Sequence, residues 1–413
     1  MLIKQAVILC GGLGTRLKPI TDHVPKPMAE VNGKPFLEYL ILQLKDNGIK
    51  EILLLTGYKK ENIEEYFKDG ARWEVNISYS RGDTEWDTGK RIYQARNLID
   101  THFLLLYSDN FVQFNLNKLI EFHNSHEGLI SLTLFQKKEG NNIIISEGNK
   151  VLLYDKKRQS PGLKYVELGY MIVDKKSFQY FDESNFSFSN TIKNLVDHRQ
   201  AFGLITKHQY YSISDPDRLK LMGAYLSKKK IILLDRDGII NAKAPKGEYI
   251  TSPEKFTVIP SILKPLNELS KEGYSFIVIS NQAGIARGKM SLEDLNKIDL
   301  KMKEIFRENG INILKSYYCP HHWEEGCYCR KPNPGMLINA ANEFKFRLDQ
   351  TFFIGDDERD VFAAYNAECK SILVGDHYNK KYLDSYPCEP DYFAFDLEHA
   401  KSYILNNNNN TNN

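Results

Sequence analysis

Cysteine is scarce in this chain: six residues in 413. That is too few for a disulfide framework at this length, so clustered cysteines read as metal ligands or reactive groups instead. Charge of one sign is missing too. Lys and Arg (55) nearly balance Asp and Glu (53), and a net charge of +2 offers no strong field to nucleic acid or a membrane surface. No run approaches the ~18 uninterrupted apolar residues of a membrane span. The opening MLIKQAVILCGG carries too short an apolar run for a secretory signal and enters a Gly-rich turn at once, so a cytoplasmic location is expected. Short internal repeats are absent. What is present is an ordinary globular composition, 42% hydrophobic and 26% charged, long enough for two domains with cores of their own.

Two β-branched apolar runs end on turn residues, as buried parallel strands do: QAVILCGGLGTR near the start and KKKIILLDRDG at 228–238. Each is followed by alternating strand-like and helix-like segments. The pattern predicts an α/β protein of two domains, each a mainly parallel sheet flanked by helices. The boundary falls at LSKKK, giving domains over 1–227 and 228–405. The Asn-rich end, 406–413, is expected to be disordered.

The first strand runs into GGLGTRL. Glycines let a backbone approach phosphates, and successive N–H groups cradle an anion. No Gly-Lys-Ser/Thr follows, so this is no P-loop, and Arg16 stands where a dinucleotide fingerprint has a small residue. The longer stretch AVILCGGLGTRLKPITDHVPKPMAEVNGKPFLEYLI resembles the sugar-phosphate nucleotidyltransferases over some forty residues. The resemblance implies a Rossmann-like fold in which Gly11, Gly12, Gly14 and Arg16 hold a nucleoside triphosphate and Lys26 contacts phosphate. It places a Mg²⁺-binding aspartate at Asp109 (SDN) and sugar contacts at Glu167 and Gly169 (VELGYMIVD). In such a reaction a sugar 1-phosphate oxygen attacks the α-phosphorus in line and pyrophosphate leaves, with cations stabilising the charge. The chain departs from the pattern at Lys90, where a second glycine is usual, and at Ser212, where a second metal aspartate is usual. Asp215 or Asp217 is the acidic substitute nearest in sequence, and Lys156 and Lys157 both qualify as a further phosphate lysine.

In IILLDRDGII, Asp235 and Asp237 lie two apart in an extended segment and point the same way, at the end of a buried strand. Downstream come SNQ (Ser280, Asn281), RKP (Lys331) and GDDERD (Asp356, Asp357, Asp360). This ordered set resembles the haloacid dehalogenase (HAD) superfamily of phosphatases. It implies Asp235 as nucleophile, Asp237 as general acid and base, and Mg²⁺ on Asp235, Asp356 and the main-chain carbonyl of Asp237. Ser280, Asn281 and Lys331 complete the implied catalytic set, Ser280 and Lys331 holding the phosphoryl oxygens. Asp357 and Asp360 either support the metal or orient Lys331.

Between strand and lysine runs CPHHWEEGCYCRKP. Its C-x-H-x5-C-x-C spacing supplies Cys319, His321, Cys327 and Cys329, four ligands that close a structural tetrahedral Zn²⁺ site; His322 competes with His321. Such a knot would deliver Arg330 and Lys331 to phosphate. With GIARG, which carries Arg287, the loop is similar to heptose bisphosphate phosphatases and to the related histidinol-phosphate phosphatases, implying that Arg287 and Arg330 contact substrate. The combined expectation is a bifunctional enzyme using Mg²⁺, Zn²⁺, an NTP and sugar phosphates. It would remove the C7 phosphate of heptose 1,7-bisphosphate and transfer a nucleotidyl group, GMP favoured, to heptose 1-phosphate. A different sugar phosphate, a regulatory N-terminal half, and histidinol phosphate are the alternatives.

Overall fold

The computed structural model describes residues 2–182, 184–245, 247–375 and 388–410. They form two compact units, Met1–Leu226 and Ser227–Asn413.

The first unit is built on seven strands: β1 (Gln5–Leu9), β2 (Glu51–Thr56), β3 (Asn76–Arg81), β4 (His102–Tyr107), β5 (Ile130–Phe135), β6 (Val166–Asp174) and β7 (Ala201–Ile205). Their order is β7–β5–β6–β4–β1–β2–β3. All pairs are parallel except those of β6, which is antiparallel to β4 and β5. Strand β1 reads QAVIL and is buried on both faces: Ala6 and Ile8 pack into one core, Val7 and Leu9 into the other. The helix Phe36–Asp46 shows how the first core is filled. Phe36, Leu37, Leu40, Ile41 and Leu44 recur at helical spacing and are fully buried; each contributes about 1.5–3 kcal/mol.

In the second unit β8 (Ile231–Leu234), β9 (Ser275–Asn281), β10 (Ile313–Cys319), β11 (Phe352–Gly355), β12 (Lys370–Val374) and β13 (Tyr392–Ala394) follow the order β10–β9–β8–β11–β12–β13, all parallel. Strand β8 is central, and its Ile232 and Leu234 face one core while Ile231 and Leu233 face the other. In both units the central strand stops at a carboxyl end flanked by strands on either side, where α/β sheets open a crevice for ligands.

The chain end departs from expectation. Instead of disorder from 406, a helix spans Leu397–Asn410; 411–413 lie outside the described residues. Leu397, Ala400 and Ile404 bury one face in the core and Lys401 pairs with Glu268 and Glu398, so a packed first half propagates helix into the asparagines. Among the described residues no helix is long and apolar enough to cross a membrane.

Candidate active sites

The crevice of the second unit gathers its charged groups around one lysine. Lys331 is 3% exposed, with its Nζ 2.8 Å from Asp235 and 2.6 Å from Asp360. Burial opposes its charge, but the two carboxylates more than offset this and hold the ammonium above its ordinary range. Asn281, expected in the catalytic set, clamps the lysine's main chain from both sides: its Oδ1 accepts from Lys331 N (3.0 Å) and its Nδ2 donates to Lys331 O (3.0 Å). Lys331 Nζ also donates to the Ile279 carbonyl at the end of β9.

Asp235, Asp356 and Asp360 place carboxylate oxygens within 4.8 Å of one another. Like charges this close call for a cation or a proton: burial first, then the Asp235 charge, push the Asp360 carboxyl up to about 7 against Lys331. Asp356 Oδ1 has no hydrogen-bond partner although it is buried, while its Oδ2 meets Lys243 at 2.7 Å. Burial, eased in part by Lys243, raises the Asp356 carboxyl above its ordinary value. A hard divalent ion with oxygen ligands fits this donor set. The third carboxylate of the trio is that of Asp360, not Asp237, and Asp360 is shared with Lys331. The backbone allows the approach at Gly238, where φ is +105° and a Cβ would lie 2.0 Å from Asp356 Oδ2.

Asp237 faces a different set. Arg236, 1% exposed, donates to both of its oxygens (2.9 and 3.0 Å), Asn241 Nδ2 to one (2.9 Å) and Gln282 Nε2 to the other (2.7 Å). Burial pushes this carboxyl up, and these donors more than reverse it, leaving it below its ordinary value. Gln282 also donates to Ser280 Oγ at 3.0 Å, joining Asp237 to Ser280 through one amide. Sequence reasoning missed Arg236, Asn241 and Gln282. The signal for Gln282 was its place in SNQ, two residues after Ser280 on an extended strand end. Asp357 is outside the trio: Arg359 holds it at 2.7 and 2.9 Å and, against the effect of burial, brings it down to about 2.

The Cys/His loop closes as a tetrahedron. Cys319 Sγ lies 3.6 Å from Cys327 Sγ and 3.4 Å from Cys329 Sγ, and Cys327 lies 3.5 Å from Cys329. His321 Nδ1 is 3.6 Å from Cys319 and 3.2 Å from Cys329. These separations are too long for disulfides and near the edge, about 3.7 Å, of a tetrahedron of sulfurs around Zn²⁺. His322 does something else: it caps the short turn Trp323–Glu325 and packs its ring at a tilt against Trp323. Trp323 in turn lies 5.4 Å from the Arg287 guanidinium, which also donates to Tyr249 OH at 3.1 Å. Arg330 donates to His321 O. A cavity of about 550 Å³, lined by Asp235, Lys331, Arg287, Trp323, Arg330 and Arg359 among others, opens over the site.

The crevice of the first unit holds fewer preformed contacts. Gly14 has φ +63°, and a Cβ there would sit 2.8 Å from Lys26 Cβ; Gly12 faces open space and Arg16 is exposed. Lys26 Nζ meets Asp109 Oδ2 at 2.6 Å, so the two residues singled out for phosphate and metal meet directly. Glu167 is close enough to Asp109 to feel its charge, and burial first, then that charge, push its carboxyl up to about 7 against an opposing bond from Gly169 N–H. Its Oε1 has no hydrogen-bond partner. Gly169 packs on the Tyr107 ring. Lys156 donates to Ser187, and Lys157 is exposed.

Ser212 lies beside Asp109: Ser212 pairs with Asn110 in a short antiparallel ladder, and Ile213 N donates to Asp109 O at 2.9 Å. Instead of a carboxylate, the guanidinium of Arg218 reaches Ser212 Oγ (3.4 Å) and Ser214 Oγ (3.1 Å). Asp215 caps the helix Pro216–Leu226 through Arg218 N and pairs with the Arg218 side chain at 3.3 Å. Asp217 is exposed in the first turn of that helix. Among the described residues, no trio of metal-ligating groups includes Asp109.

Comparison with known proteins assigns both halves. The nucleotidyl transferase family model matches residues 5–143 and the HAD-hydrolase-like model residues 328–400. The D-glycero-beta-D-manno-heptose-1,7-bisphosphate 7-phosphatase of Helicobacter pylori is 39% identical over 150 residues, 36% of this chain and 85% of that protein. The D-glycero-alpha-D-manno-heptose 1-phosphate guanylyltransferase of Campylobacter jejuni is 34% identical over 218 residues, 52% of this chain and 96% of that protein. The crystal structure of D,D-heptose 1.7-bisphosphate phosphatase from B. bronchiseptica, complexed with magnesium and phosphate, covers 43% of this chain and 99% of its own at 31% identity and a TM-score of 0.40. The chain therefore belongs to two enzyme families at once, a sugar-phosphate nucleotidyltransferase domain joined to a HAD-like phosphatase domain, both matching enzymes of the heptose pathway.

Proposed function

We propose that the chain carries out two successive steps of nucleotide-activated heptose synthesis, C7 dephosphorylation of heptose 1,7-bisphosphate and guanylyl transfer to heptose 1-phosphate. The observation that carries the reading is the fusion itself: one half matches a 7-phosphatase and the other a 1-phosphate guanylyltransferase, so that on a common anomer the product of one would be the substrate of the other.

In the phosphatase half, Asp235 Oδ attacks phosphorus, the bond from phosphorus to the C7 oxygen breaks, and the departing oxygen takes a proton from Asp237. Asp237 then removes a proton from water, which hydrolyses the aspartyl-phosphate and releases inorganic phosphate. The bonds from Arg236, Asn241 and Gln282 favour the ionised Asp237, the form this second step requires. Lys331 neutralises phosphoryl oxygens and keeps the nucleophile ionised. Mg²⁺ held by Asp235 and Asp356 would screen the anionic nucleophile from the anionic ester. Zn²⁺ on Cys319, His321, Cys327 and Cys329 would have a structural role, fixing the loop that carries Arg330 and Lys331.

In the nucleotidyltransferase half, the Gly11–Gly14 loop and Arg16 receive the triphosphate, Lys26 and Asp109 form the phosphate and metal end, and Glu167 and Gly169 face the sugar. The fusion constrains the anomer. The phosphatase relative is named for the β-bisphosphate, the transferase relative for the α-1-phosphate. A phosphorylated anomeric centre cannot mutarotate, and cleavage at C7 leaves C1 untouched. Both halves must share one anomer, and we take the α form named for the transferase relative over the β form named for the phosphatase relative. Incubation of the protein with α- or β-heptose 1,7-bisphosphate, Mg²⁺ and each NTP in turn, with products followed by mass, tests this. Turnover of the α-bisphosphate to a GDP-linked sugar is expected; β-only turnover contradicts it.

Ser212 and Arg218 favour a second reading, in which the N-terminal half binds a sugar nucleotide and regulates the phosphatase without transferring anything. Absence of any NTP turnover in the same assay selects it.

A further inference from the structure

Arg91 is 4% exposed, and among the described residues no carboxylate pairs with it directly, Asp83 and Asp87 acting only through their charge. A buried cation is costly unless its donors are matched. Here the acceptors of its two Nη groups are main-chain carbonyls. Nη1 donates to Thr56 O (2.9 Å); Nη2 donates to Gly11 O (3.2 Å), Asp83 O (2.6 Å) and Thr84 O (3.3 Å). These carbonyls stand at or just beyond the carboxyl ends of β2, β1 and β3. Three glycines make room for the guanidinium. A Cβ on Gly11 would lie 2.4 Å from its Cζ, on Gly57 2.5 Å from Nη1, and on Gly82 2.9 Å from Nη1. One planar group thus joins three successive strand ends, an arrangement a lysine's single nitrogen cannot reproduce.

We propose that Arg91 is a positioning residue of the nucleotidyltransferase site: it pins the Gly11 loop to the loops after β2 and β3 and so sets the backbone that receives the nucleoside triphosphate. This rests on the nucleotide-binding reading of that loop. The sugar-side residues Glu167 and Gly169 lie on β6, separated from β1 by β4, and Arg91 touches neither. Its effect is therefore confined to the nucleotide.

The test uses the full chain with Arg91→Lys, varying GTP and heptose 1-phosphate separately and following phosphate release in parallel. The KM for GTP rises at least ~10-fold, the KM for sugar phosphate stays within ~2-fold, and phosphatase activity is unchanged. Gly57→Ala pushes the guanidinium aside without removing it and raises the KM for GTP by ~3-fold; it decides the matter if Arg91→Lys does not fold. An unchanged KM for GTP in a folded variant, or equal rises in both KM values, overturns the assignment while leaving the transferase reading intact. Wild-type protein that turns over no NTP overturns both.

Discussion

The two crevices differ in how much of their chemistry is in contact before substrate arrives. In the phosphatase half, Lys331 lies within 3 Å of both Asp235 and Asp360, and Cys319, His321, Cys327 and Cys329 stand at tetrahedral distances from one another. In the nucleotidyltransferase half, the Asp109 carboxylate pairs with Lys26, and Ser212 with Arg218 occupies the neighbouring ladder position. The chemistries account for the difference. A covalent mechanism requires a nucleophile and an acid–base group already held in place. In-line transfer between two bound substrates requires mainly cations and alignment, and the substrates bring much of the charge.

Asp235→Asn separates the halves most sharply. It removes the nucleophile's charge with little change of shape, so phosphate release falls by at least ~10³-fold, while nucleotidyl transfer from supplied sugar 1-phosphate persists. Loss of both activities in a folded variant contradicts two independent sites. Asp109→Ala is the mirror experiment, lowering nucleotidyl transfer by ~10²–10³-fold and sparing phosphate release. Its neighbours refine it. Asp217 is exposed, so Asp217→Ala leaves transfer within ~2-fold. Asp215→Ala removes a helix cap and costs about 1 kcal/mol in a thermal melt. A sharp loss of transfer in Asp217→Ala assigns the second metal ligand to that residue instead.

Cys327→Ser or Cys329→Ser in protein purified without added zinc should release one equivalent of metal and lower the melting temperature of the phosphatase half. Full zinc retention in both variants contradicts a four-ligand site. The last effect belongs to the other half. His123 and His126 share the Ser131 hydroxyl at 2.7 and 2.8 Å, and burial, with His126 and His102 also acting on His123, brings both imidazoles down to about 4. The unfolded chain takes up these protons near pH ~6.5, so stability is full above that value and declines as pH falls toward 4. Replacing both histidines with asparagine should flatten that decline; an identical acid profile refutes the assignment.

Much of this was legible in sequence because the signals are local. Aspartates two apart at a strand end, glycines after a strand, and C-x-H-x5-C-x-C each fix neighbours by backbone geometry alone. The remainder depends on contacts across the fold. Nothing in DTGKRI reveals that Arg91 lies against Gly11, eighty residues away. Asn281 and Asp360 were identifiable as site residues, but their attachment to Lys331 comes from three separate strand ends meeting. The helical asparagines escaped because the helix is set by residues before them.

The measurement that bears most directly on the account is the one-pot reaction of the intact chain with α-heptose 1,7-bisphosphate, GTP and Mg²⁺, followed by mass. The account predicts a GDP-linked heptose formed with one inorganic phosphate from C7 and one pyrophosphate per sugar. Heptose 1-phosphate accumulating with every NTP left unconsumed would contradict it and leave the N-terminal half a binding module.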